Sequence, residues 1–149
     1  MNLDYRAAAF KQAWNGGVPK GRIYYDRAEQ AAGITDFPYL TFTITAEPPE
    51  VVSQVSGTNT RICTYRLAVT FWTCQGMPGS SGDQITDQGI LMRALENALA
   101  NIPASNPWYN VPGFLGCWQQ DSTLVKDNEL YLGKDVLCGT VEFLIKTQE

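Results

Sequence analysis

At 149 residues the chain fits one domain, residues 1–149, long enough to bury a core without metal or disulfide staples. Eleven Lys and Arg against fifteen Asp and Glu leave a net charge of -4, which argues against a protein that wraps a phosphate backbone, so no sequence-specific nucleic acid binding is expected. The start, MNLDYRAAAFKQAW, lacks a basic region followed by an apolar run, and nowhere do about 18 apolar residues follow one another, so the chain is expected to be soluble, free of membranes and made without export.

Leu3, Ala7, Phe10 and Trp14 recur at helical spacing with Asp4, Arg6, Lys11 and Gln12 facing away, which predicts an amphipathic helix over residues 3–14, stopped by Asn15-Gly16-Gly17. RIYY, from Arg22, is a short strand, and DRAEQAAG is assigned a helical turn capped by Asp26 with Glu29 three residues on. In DFPYLTFTITAEPPE the alternation is strict. Leu40, Phe42 and Ile44 share one face of a strand, and Tyr39, Thr41, Thr43 and Thr45 share the other. The first face belongs to a core. The second carries residue types that either meet water or pack against another chain.

RICTYRLAVTFWTC is a further strand, with Cys63, Tyr65, Leu67, Val69 and Phe71 on one face and Thr64, Arg66, Ala68, Thr70 and Trp72 on the other. Between these strands the prolines of EPPEVVSQVSGTNT break the ladder, and the connection is expected to project as a β-hairpin arm carrying Val51, Val52 and Val55. QGMPGSSGD is a flexible loop. Ser81 or Asp83 caps the helix that follows, whose apolar stripe is Leu91, Leu95, Ala98, Leu99 and Ile102.

After the aromatic connection SNPWYNVPGF, the tail is expected to form a long antiparallel hairpin turning at Asp127-Asn128. That register sets Val125 opposite Leu130, Asp121 opposite Lys134, Trp118 opposite Leu137 and Cys117 opposite Cys138, with Trp118, Leu137, Val141, Phe143 and Ile145 toward the core. The order helix, strand, strand, strand, helix, strand, strand defines an α+β fold, its helices packed on one face of an antiparallel or mixed sheet.

Chemistry is scarce in this sequence. Cys63, Cys74, Cys117 and Cys138 are scattered without a CxxC pair, and no histidine completes a zinc site, so they are expected as buried free thiols. Lack of histidine also removes the usual base near neutral pH and the Ser-His and Cys-His pairs. Asp26, Asp83, Asp127 and Asp135 sit where caps and turns place aspartate, and GGVPKG is too short to cradle a phosphate. Neither an enzyme nor a cofactor is expected. Trp14 and Trp118 are expected in the core. Trp72, among Arg66 and threonines, is either an interface aromatic or a residue covered by the loop at Trp108 and Tyr109.

The stretch GRIYYDRAEQAAGITDFPYLTFTI resembles a pattern near the front of small tail terminator and tail completion proteins of tailed bacteriophages, in which an N-terminal helix precedes a short strand and a PYxxF strand. The matching residues are Arg22 to Tyr25, Pro38, Tyr39 and Phe42; an arm, a helix at 83–100 and a closing hairpin agree in order. The resemblance implies a structural virion protein that forms a homo-hexameric ring on the last ring of the tail tube. Such a ring ends polymerisation and meets the head-side connector or neck protein, acting in the virion tail or neck after assembly in the host cytoplasm. It implies no catalytic residues, and subunit contacts through the sheet and arm: Tyr39, Thr41, Thr43, Val51, Val52, Val55, Arg66 and Trp72 are the candidates. An acidic ring also suits a lumen through which DNA passes. The loop at 105–114 is longer and more aromatic than the pattern. Another head-tail joining, head completion or adaptor protein is the nearest alternative. A small α+β domain binding an apolar ligand beneath Trp108, Tyr109 and Phe114 is the alternative from a different class.

Overall fold

The computed structural model describes residues 10–11, 18, 22–25, 34–55, 58–100, 106, 108–109, 111–131 and 134–149. Strands dominate them: β1 (Ile23–Tyr25), β2 (Tyr39–Ala46), β3 (Glu50–Val55), β4 (Thr58–Cys74), β5 (Phe114–Tyr131) and β6 (Lys134–Gln148), with the helix α1 (Gln84–Ala98) between β4 and β5. One mixed sheet runs β1-β2-β4-β6-β5, with β3 also on β4. β1 is parallel to β2, and every other pairing is antiparallel.

The class is α+β, but the order differs from expectation by an added strand, β3. Of the N-terminal helix only Phe10 and Lys11, both helical, fall among the described residues; the turn at Asp26 and the side chain of Trp14 lie outside them.

Ile62 pairs with both Glu50 and Gln148, so β3 and β6 flank β4 on opposite edges and β3 continues the edge that β2 occupies. The interruption falls at Pro48-Pro49, which have no N–H to give a ladder. Arg61 exchanges both backbone bonds with Glu149 at 2.8 Å. Beyond it, residues 58–60 of β4 pair only with β3, which leaves a two-stranded ribbon past the end of β6.

The alternation read for β2 and β4 sets the two faces of the sheet. Leu40, Phe42 and Ile44 stand beside Phe71, Val69 and Leu67, and with Tyr65, Val141, Phe143 and Ile145 they are buried under Leu91, Leu95 and Leu99 and beside Phe10 and Trp108. Burying each such side chain contributes about 2 kcal/mol. Asp83 caps α1 by accepting from the Ile85 N–H at 3.2 Å and from Thr86 Oγ1 at 2.8 Å. One polar side chain seats the helix: buried Gln88 donates through Nε2 to the Phe71 carbonyl, Thr73 Oγ1 and the Leu137 carbonyl at 2.9, 3.1 and 3.0 Å.

Buried Asp87, in the first turn of α1, holds the preceding loop by accepting from Ser80 Oγ at 2.7 Å and from the Ser81 N–H at 2.8 Å. Burial pushes its carboxyl up, but the bonds from Ser81 and Ser80 outweigh it and hold Asp87 below the ordinary carboxylate range. A depressed folded-state value means the stabilisation is present above the ordinary value of 3.8 and is lost as pH falls through the folded value. Asp87→Asn is therefore expected to cost about 1–2 kcal/mol near neutrality. The gap between the melting curves of variant and parent should close on acidification; a gap independent of pH would show that the ionised carboxylate is not what holds the loop.

The closing hairpin departs from the expected register. Tyr131 pairs with Lys134 and Leu130 with Asp135, so β5 runs through Asp127-Asn128, and register shifts lie between Phe114 and Gly116, Gln119 and Asp121, and Lys126 and Leu130. Cys117 consequently stands opposite Ile145, and Cys138 opposite Val125. Seven residues separate Ile145 from Cys138 along β6, about 23 Å at the usual strand rise, far beyond disulfide reach. Trp118 moves too: it is opposite Leu144 and 44 % exposed, while its neighbour Cys117 takes the core position. A five-residue difference in turn position, compounded by bulges, exchanged the faces of these residues.

Candidate functional site: the open face of the sheet

The face opposite α1 is built by the alternate residues of four strands. Register aligns them in rows: Tyr39, Trp72 and Cys138; Thr41, Thr70 and Thr140; Thr43, Ala68, Glu142 and Asp121; Thr45, Arg66, Leu144 and Trp118. β-Branched threonines suit this pleated surface, and Thr70 and Thr140 join their hydroxyls at 2.9 Å. One end of the face is covered by the chain itself, where Phe37, Tyr39, Cys74, Met77 and Val136 form a second buried cluster with Tyr24 and Trp72 at its margin.

Of the residues expected to make subunit contacts, Tyr39, Thr41, Thr43, Arg66 and Trp72 share this face. Tyr39 is 1 % exposed and Thr41 7 %, so their side chains are covered within the monomer. Trp72 stacks on Tyr39 with ring centroids 5.6 Å apart and donates from Nε1 to Thr41 Oγ1 at 3.1 Å. It is half-buried by these neighbours and not by Trp108, which lies in the core stacked on Phe10. That leaves Thr43, Trp72 and Arg66 to present surface. The backbone of β3 sets Val51 opposite Arg61 and Val55 opposite Thr58, with Val52 at the register shift between Val51 and Ser53.

Arg66 reaches Glu47 at 3.1 Å and Glu142 at 3.3 Å, all three on the exposed or half-buried surface. Exposed pairs of this kind are screened by solvent and add little stability; they serve better to fix the orientation of the guanidinium. The carboxylates, Glu47 foremost by its hydrogen bond, raise the Arg66 pKa.

Trp118 is the residue that the sequence reading misplaced and the face gains. Its ring lies over Gly116, where an added Cβ would collide with it, and Leu144 is the cross-strand partner of Trp118. Glycine two residues before an aromatic on one strand face was the available signal.

No disulfide joins the four cysteines, and burial pushes the Cys117 thiol up to about 12. Burial, then Glu149, raises the Cys63 thiol. Both stay protonated and weakly nucleophilic near neutrality. No group of three His, Cys, Asp or Glu side chains among the described residues is placed to hold a metal ion. No helix among them is long and apolar enough to cross a membrane. Trp108 is fully buried, so of the residues expected as a ligand lid only Tyr109 and Phe114 reach the surface region, their rings 5.6 Å apart. Compared with family models and with curated proteins, the chain finds no match.

Proposed function

We propose that this chain is a structural assembly protein of a tailed bacteriophage or prophage, a tail-terminator-like subunit that forms a hexameric ring at the head-proximal end of the tail tube. Such a ring stops tube polymerisation and joins the tail to the head connector. One observation carries the reading: among the described residues helix α1 covers one face of the sheet, while the other face is covered at one end only and is otherwise open beside a ribbon, β3 with residues 58–60, that outruns the strand next to it. A two-stranded ribbon has little independent stability and gains it by packing on another surface, and the open face of the next subunit is such a surface. In this reading the segment around Phe10 supplies a second helix on the core side.

The partners are then further copies of the chain, the tail tube protein and the head-side neck protein, with no catalysis, cofactor or base-specific DNA contact, in the virion tail. A head completion or adaptor protein of the same architecture would use the same surfaces and is distinguished by failure to bind the tube.

Thr43→Asp tests the face. It sets a carboxylate beside Ala68 in the row of Glu142 on a half-buried position. The isolated subunit is expected to melt within about 0.5 kcal/mol of the parent. Assembly yield at matched concentration is expected to fall by about tenfold or more, the effect of one charge trapped in a contact. Undiminished assembly would remove this face from the interface.

A further inference from the structure

At the start of α1 lies a small cleft of about 170 Å³ lined by Pro38, Met77, Pro78, Gly79, Asp87, Ile90 and Leu91. Its floor is buried, with Met77 6 %, Asp87 4 % and Leu91 4 % exposed, and its rim of Pro78, Gly79 and Ile90 is exposed. Asp87 is the one charged residue of this largely apolar lining. Among the described residues both ion pairs belong to Arg66, and no lysine or arginine stands within pairing range of Asp87.

We propose that this cleft takes the side chain of a lysine presented by a partner protein, its aliphatic stem against Pro38, Met77 and Ile90 and its ammonium group on Asp87. The stem matches the walls because lysine methylenes bury well while the charged head seeks a polar end. Each Asp87 oxygen accepts one of the bonds from Ser80 and Ser81, and a carboxylate oxygen has a further lone pair to offer. Those same bonds keep the group ionised and fixed in orientation, so the anion is ready without rearrangement. A charge-assisted bond formed in such a partly enclosed site is stronger than a neutral one. The small volume favours the compact ammonium over a planar guanidinium. Exposed Ile90 at the rim adds apolar surface on which the partner backbone would rest. The site is independent of the ring reading.

The test is a titration of the folded chain with Nα-acetyl-lysine methylamide, followed by the methyl resonances of Met77, Ile90 and Leu91. Saturable shifts are expected, with the norleucine analogue, which keeps the stem and lacks the ammonium, about tenfold weaker or worse. Ile90→Trp fills the mouth without touching Asp87 and should abolish the shifts. Asp87→Asn, checked for folding by its melt, should do the same. Equal binding of the norleucine analogue, shifts that persist in Ile90→Trp, or no shifts at all would overturn the site. Tighter binding of the arginine analogue or of free butylammonium would overturn lysine side chain as its occupant.

Discussion

Leu67→Asp is expected to leave no cooperatively folded domain. Leu67 is fully buried on the central strand β4, beside Ile44 on β2 and Phe143 on β6, within the core closed by α1. The substitution removes about 2 kcal/mol of apolar burial and places a carboxylate where no partner exists. The combined cost, more than about 5 kcal/mol, rivals the whole stability of a typical domain. The readout is thermal or denaturant unfolding. A cooperative transition at the parent midpoint would mean that the two faces of β4 have been exchanged, and with them the assignment of the open face.

Gln88→Glu follows in size. The replacement keeps the shape of the side chain but turns a donor to three oxygens into an anion pointed at them. The Phe71 and Leu137 carbonyls are set in adjacent strands, β4 and β6, so they cannot turn away without breaking the ladder. A loss of about 3 kcal/mol or more is expected at neutral pH, about 10 °C in melting temperature for a domain of this size. Gln88→Met, which removes the donor without adding charge, should cost less. If both variants melt with the parent, α1 is held by its leucines alone.

Much of the central sheet was legible because period-two alternation is a strong local signal where one face is buried. Leu40, Phe42 and Ile44 on β2 and Tyr65 to Phe71 on β4 announce their faces by themselves, and of the two candidate caps, Ser81 and Asp83, the structure uses Asp83. Less of the edges was legible. Nothing local distinguishes Asp127-Asn128 from a continuing strand, and each bulge in β5 shifts the faces that follow, so Trp118 came out on the open surface instead of in the core. The seat of α1 was invisible for another reason: Gln88 reads as an ordinary polar helix residue until the carbonyls of two strands are brought beneath it. The candidate face was visible as a set of threonines, but its covered end was not, because Tyr39 is buried by Phe37 and Trp72 through tertiary packing.

Closure of copies of this chain into a ring, as proposed, is open to electron micrographs of the purified protein, taken alone and mixed with the tail tube protein encoded in the same genome. Closed rings with an open centre, free or seated on one end of tubes that have stopped growing, are the predicted result. Single particles of monomer size in both samples, beside tubes that lengthen as though the chain were absent, would contradict it.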